Sequence, residues 1–168
     1  DPAMAPDVIN NSWGCPTDEG CNPGNFAVMQ AVVENVRAAG IFVAVSAGNS
    51  GSSCSTVDTP AAIYDASFTV GSTTSGDAPS SFSSRGPVTV DGSNRMKPDI
   101  AAPGSNILSS VPRGVSEGGW SGTSMAGPHV AGLVGLLVSA SPAAAGDVDL
   151  LEATIRQSAF HPNTSTQL

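Results

Sequence analysis

In the stretch GGWSGTSMAGPHVAGLVGLL, residues 118–137, a serine stands at the entrance of an apolar helix and a histidine follows five residues later. Serine and histidine are the residue types of nucleophilic acyl transfer, in which an imidazole takes the hydroxyl proton as the oxygen attacks a carbonyl. Gly122 and the small Ser121 leave room for close backbone approach just before Ser124. Pro128 suits a helix first turn, where its missing N–H costs nothing. Ser124 thus lies at a positive helix end, where backbone N–H groups face an anion. On local features alone the same serine is equally a helix cap, a role that serine often fills.

His129 does not fit as the base for Ser124. Five residues along an α-helix turn the side chain by roughly 140° and raise it by about 7.5 Å. A base must come within roughly 3 Å of the hydroxyl it serves. What is left for His129 is a core histidine donating to a neighbouring backbone group. His161 stands in a polar tail beyond the last expected helix, with nothing to orient it.

Several elements must hold these residues. The stretch DVINNSW (7–13) reads as a buried strand. In NFAVMQAVVENVRAAG the apolar positions Phe26, Met29, Val32, Val33 and Val36 have helical spacing, and Gly40 suits a left-handed stop. IFVAVSA (41–47) is the near-continuous apolar run of a strand covered on both faces. These three make a βαβ unit, and SFTVGST (67–73) is the next parallel strand. KPDIAAPGSNILSSV (97–111) holds a turn at Pro103-Gly104 and a further short strand. Residues 124–140 form a buried helix poor in charge, and GDVDLLEATIRQSA (146–159) an amphipathic one with Asp147 as N-cap. From His161 onward the chain reads as loop. The class is α/β, with an incomplete parallel sheet.

Composition narrows the function. The 168 residues have the length of one domain, 40% are hydrophobic and only 12% charged, which is a globular and not a disordered balance. With 14 acids against 6 bases the formal charge is −8, which disfavours nucleic acid and anionic membrane as partners. We find no run of about 18 apolar residues that would span a bilayer. The start Asp1-Pro2-Ala3-Met4 lacks the pattern of a signal peptide. Cys15, Cys21 and Cys54 allow one disulfide and leave one thiol, and their spacing does not suggest zinc. One disulfide in an acidic, Gly- and Ser-rich chain points to an exported protein. The sequons at Asn10 and Asn163 read as chance matches.

The segment GTSMAGPHVAG resembles the serine motif of the subtilisin-like serine peptidases, the subtilases. VINNSWG resembles their substrate-binding strand and VSAGNSG their oxyanion-asparagine loop, and FSSRGP and KPDIAAPG are similar to linking segments of that family, all in the right order. The likeness covers about residues 7–160, and its wording is most similar to bacillopeptidase-F-like bacterial members. A sedolisin-like acid peptidase shares a Gly-Thr-Ser motif, but Pro128-His129 and the wording around Asn49 argue against it.

The resemblance implies a three-layer subtilisin-like fold and a serine endopeptidase, secreted or at the cell surface, with Ser124 as nucleophile. The side-chain amide of Asn49 and the backbone N–H of Ser124 would form the oxyanion hole, although Gly48-Asn49 is also good turn chemistry. A peptide would add along Asn11, Ser12, Trp13 and Gly14, with a primary pocket walled by Ser12–Gly14 and by Ser46, Ala47 and Gly48. Trp13 is either a subsite wall or a core residue. Asp58 falls near the family's pocket floor, where an inward carboxylate would favour a basic side chain; the ordinary place for it is an exposed loop. Met125 would be sensitive to oxidation. The disulfide would join Cys54 to Cys15 or to Cys21. No cofactor is required, and calcium is one that the family allows.

The family's triad aspartate and histidine stand in Asp-(Thr/Ser)-Gly and His-Gly motifs that these residues lack, and Asp99 matches a structural position. Residues 1–168 are therefore expected to be the C-terminal portion of a catalytic domain, inactive alone. Its partners would be the N-terminal portion, a peptide or protein substrate, or a second copy through an exposed sheet edge. The alternative is a non-catalytic or split binding or structural module.

Overall fold

The computed structural model describes residues 4–161. The start Asp1–Ala3 and the tail from residue 162, with the Asn163 sequon, lie outside the described residues. Four parallel strands lie in the order β1 (Val8–Asn11), β2 (Phe42–Ser46), β3 (Phe68–Thr73) and β4 (Ile100–Pro103). Their register sets Val8 beside Phe42, Ala44 beside Phe68 and Val70 beside Ile100. All five residues of β2 are buried, as its unbroken apolar run requires of a strand covered on both faces. Phe42 and Ala44 face one core cluster, Val43 and Val45 the other.

Helix α1 (Phe26–Ala38) covers one face. Phe26, Met29, Val33 and Val36 form its inward stripe, whereas Val32 falls off the stripe and is exposed. Gly40, at φ +80°, makes the left-handed stop. Helices α2 (Thr123–Ala140) and α3 (Val148–Ser158) cover the other face. The side chain of Asp147 accepts from Leu150 N at 3.0 Å and caps α3 as expected. Between sheet and α3 the Phe42 and Phe68 rings meet tilted with centroids 5.0 Å apart, and the Arg156 guanidinium lies 4.9 Å over Phe68.

Four expectations need correction. α2 is only partly buried: Ala126, Val130 and Val134 enter the core, but Leu133 and Leu136 are 40% and 70% exposed, because no layer covers its outer face. Its 18 residues, mean hydropathy 1.3, also do form a run long and apolar enough to cross a membrane, but α2 packs against all four strands as a core helix does. Beyond Pro103 the chain makes a hairpin of β5 (Ile107–Val111) and β6 (Val115–Trp120); β6, with two glycines and a glutamate, carries no strand pattern. Finally, the disulfide joins Cys15 to Cys21, and Cys54 is free and exposed. A short 3₁₀ turn at Thr17–Glu19 folds the loop on itself, Cys21 N donating to Pro16 O, and so brings the two cysteines together. The Cys54 loop is held elsewhere, with Ser55 N on Gly86 O and Thr56 N on Arg85 O.

Asp99 has a structural place. It accepts from Thr69 N at 2.7 Å and from the buried Lys97 at 2.6 Å, and pairs with Arg156 at 3.0 Å. Burial pushes the Lys97 ammonium below its ordinary pKa, against the opposing pull of Asp99.

Candidate active site

The C-terminal ends of β1 and β2 open toward the first turn of α2, and there a cleft of about 230 Å³ forms. Ser12, Trp13, Gly14, Ser46, Gly48, Asn49, Thr59, Thr123 and Ser124 line it. Residues from three separate elements thus meet around one serine. Of the residues expected at the cleft, two stand apart. Ala47 is 3% exposed and packs in the α1 core, and Asn11 turns its carboxamide oxygen to accept from the Trp13 indole at 3.1 Å. That contact steadies Trp13, which is 41% exposed at the cleft and so is no core tryptophan. Asp58 is exposed and outside the lining. Its neighbour Thr59 lines the cleft instead, its hydroxyl 3.1 Å from the place of a Cβ on Gly14. The lining carries no charged side chain.

The sequence reasoning missed Thr123. It is fully buried, its N and Oγ1 both donate to Asn49 Oδ1 at 2.9 and 3.0 Å, and its Oγ1 accepts from Gly48 N at 3.2 Å. With the carboxamide oxygen so engaged, Asn49 Nδ2 is the carboxamide's remaining donor, 3.6 Å from the Cβ position of Gly122. An amide N–H donor, a helix N-terminus and a half-buried hydroxyl thereby share one cleft. Such a set can receive a carbonyl, take a nucleophilic attack on it and hold the negative charge that forms. The repeated small hydroxyl residues of SGTS are the signal that would have found Thr123.

Among the described residues neither histidine is hydrogen-bonded to Ser124. His129 Nδ1 lies 2.8 Å from Met125 O, to which it donates, and the ring is exposed rather than in the core. His161 lines a different groove, with Pro98, Ile100 and Arg156. Ser124 also lines a second, apolar groove of about 420 Å³, together with Ile107, Leu108, Trp120, Met125 and His129 among others.

A sequence profile described as the Subtilase family matches residues 3–167. Bacillopeptidase F of Bacillus subtilis (strain 168) is 41% identical over 159 residues, which are 91% of this chain and 10% of that protein. Subtilisin of Bacillus pumilus is 42% identical over 138 residues, 81% of this chain and 44% of that one. Among solved structures, a cold adapted subtilisin-like serine proteinase superimposes with TM-score 0.69 at 31% identity, covering 95% of this chain and 50% of its own. The chain thus spans half or less of the length of these relatives. Parallel sheet, helix layers, ordered motifs and these likenesses agree, and the chain belongs to the subtilase family of serine peptidases.

Proposed function

We propose that this chain carries the nucleophile and the oxyanion hole of a serine endopeptidase, and that its base and orienting aspartate come from a segment outside these 168 residues. The observation that supports this best is the Thr123–Asn49 clamp, which engages the carboxamide oxygen and leaves the amide N–H of Asn49 as its free donor in the cleft that Asn49 and Ser124 both line. A structural cap would not need that donor. In the reaction Ser124 Oγ attacks the scissile carbonyl, and Asn49 Nδ2 with the backbone N–H of Ser124 stabilises the tetrahedral oxyanion, one such donor lowering the barrier by about 3–4 kcal/mol. The peptide adds as a strand along Asn11–Gly14. The uncharged cleft suits an uncharged side chain before the scissile bond.

Without base and aspartate the isolated chain is a poor enzyme, because triad members act as a unit. Docking of the completing segment is supported by the open sheet edge at β1 and by the exposed Leu133, Leu136, Leu108 and Trp120. The same surface would otherwise join two copies of the chain. The chemistry requires no cofactor. Among the described residues no cluster of three His, Cys, Asp or Glu marks a calcium site. An exported protein agrees with the Cys15–Cys21 disulfide.

Labelling with a fluorophosphonate probe, with Ser124→Ala as control, tests the reading. No labelling of the 168-residue chain, with labelling at Ser124 once the upstream portion is supplied, is expected. Labelling of the isolated chain would mean that a base lies within it or in a partner copy. Failure in both forms would favour the second reading, a non-catalytic binding module, which the exposed apolar surface also fits.

A further inference from the structure

Pro128 stands four residues after Ser124 in the second turn of α2, not in the first turn where the sequence pattern put it, so its missing N–H does leave a carbonyl unpaired. The carbonyl of Ser124 therefore has no helical N–H to accept from, and a proline ring crowds the carbonyl four residues before it. That carbonyl accepts instead from the hydroxyl of Ser12, at 3.2 Å. The Ser12 oxygen in turn accepts from Asn10 Nδ2 at 2.9 Å. A hydroxyl has a single proton, so the donation arriving from Asn10 leaves that proton for Ser124. On its other side Asn10 lies against α2: its Oδ1 is 2.7 Å from where a Cβ on Gly127 would stand, so a side chain at 127 would displace this carboxamide. Ser46 Oγ, a buried hydroxyl without a partner among the described residues, lies 3.5 Å from the same point. The next carbonyl, that of Met125, is met by the His129 ring. The turn that carries Ser124 is thus held by side chains where proline has removed a backbone bond.

We propose that Asn10 and Ser12 are positioning residues for the nucleophile. Asn10 aims the Ser12 hydroxyl, and Ser12 takes up the carbonyl that Pro128 leaves unpaired, so that the substrate-bearing strand and the Ser124 turn stay in fixed register. The proposal rests on Ser124 being the nucleophile. A helix bends most readily where its hydrogen-bond ladder is interrupted, and a nucleophile displaced by a fraction of an ångström loses much of its rate. Neither side chain touches the reacting atoms; Asn10 is outside the cleft lining, so its loss belongs to kcat and not to KM, whereas Ser12 lines the cleft and its loss reads in both.

The test uses the complete peptidase with its upstream portion, with rates expressed per titrated active site so that misfolded protein drops out. Ser12→Ala is expected to lower kcat and the fluorophosphonate rate together by roughly five- to tenfold. Ser12→Thr, which keeps the hydroxyl, restores most of the loss. Asn10→Ala lowers kcat in the same way, and adding it to Ser12→Ala costs nothing more, since the two act in series. Gly127→Ala displaces the Asn10 carboxamide and reproduces the Asn10→Ala loss; this variant carries the test where Ser12→Ala does not fold. Unchanged kcat in Ser12→Ala, or losses from Asn10→Ala and Ser12→Ala that multiply, would overturn the relay. A wild-type protein that takes no probe at Ser124 is a different result and overturns the nucleophile assignment beneath it.

Discussion

Asn49 and Thr123 show how little freedom a donor needs to be left with before its direction is set. An exposed asparagine rotates its carboxamide freely, but both Thr123 donors fall on Asn49 Oδ1 and only Nδ2 faces away. In the complete enzyme Asn49→Ala is expected to lower kcat roughly 10²- to 10³-fold, the ordinary loss for one oxyanion donor. Thr123→Val keeps the shape and removes one of the two donors to Oδ1 together with the acceptor for Gly48 N. It should lower kcat roughly tenfold with little change in KM, a split read from initial rates on a peptide substrate. Equal kcat in wild type and Thr123→Val would separate the clamp from catalysis.

At the scale of elements, the caps and loops carry testable consequences. Asp147 accepts from Leu150 N at the start of α3, and that helix brings Leu151, Ile155 and Val148 into the core. Asp147→Ala should destabilise the protein by about 1 kcal/mol, seen as a lower urea midpoint at unchanged slope. An unchanged midpoint would mean that the cap does not limit α3. The loop pairing gives a sharper outcome: with Cys15–Cys21 closed and Cys54 exposed, a thiol reagent should titrate one group in the native protein without reductant. Peptide mapping should find the label on Cys54. Label on Cys15 or Cys21 would reverse the pairing.

The whole molecule responds to alkali through a buried phenol. Tyr64 is 2% exposed and donates to Phe26 O at 2.8 Å, tying the loop after the cleft to the start of α1. Burial, with a smaller push from Asp91, raises its pKa to about 12 from the ordinary 10. Between those values the folded state keeps a proton that the unfolded state has lost, so stability present below pH 10 falls by roughly 1.4 kcal/mol per pH unit as pH rises toward 12. Lys97 acts in the opposite sense. Its folded pKa lies below 10.5, so stability rises with pH until the unfolded lysine too has lost its charge. Tyr64→Phe removes only the first effect; denaturant midpoints from pH 9 to 12 should then lose their downward slope. An identical slope in both proteins would assign the alkaline loss elsewhere.

Local pattern carried much of this molecule. The unbroken run in β2, the stripe of α1 with its Gly40 stop and the Asp147 cap were all readable because each is decided within a few residues by periodicity or by a cap. The cleft was readable in part: Ser12, Trp13, Gly14, Ser46, Gly48, Asn49 and Ser124 do converge, since each sits at the end of an element whose type was clear. What remained hidden depends on residues distant in sequence. The pairing of Cys15 with Cys21 follows from how one loop folds on itself. The role of Thr123 is set by a partner 74 residues away. Segment types are fixed by neighbours along the chain; partners across the cleft are fixed only when sheet register and helix docking bring them within a hydrogen bond's reach.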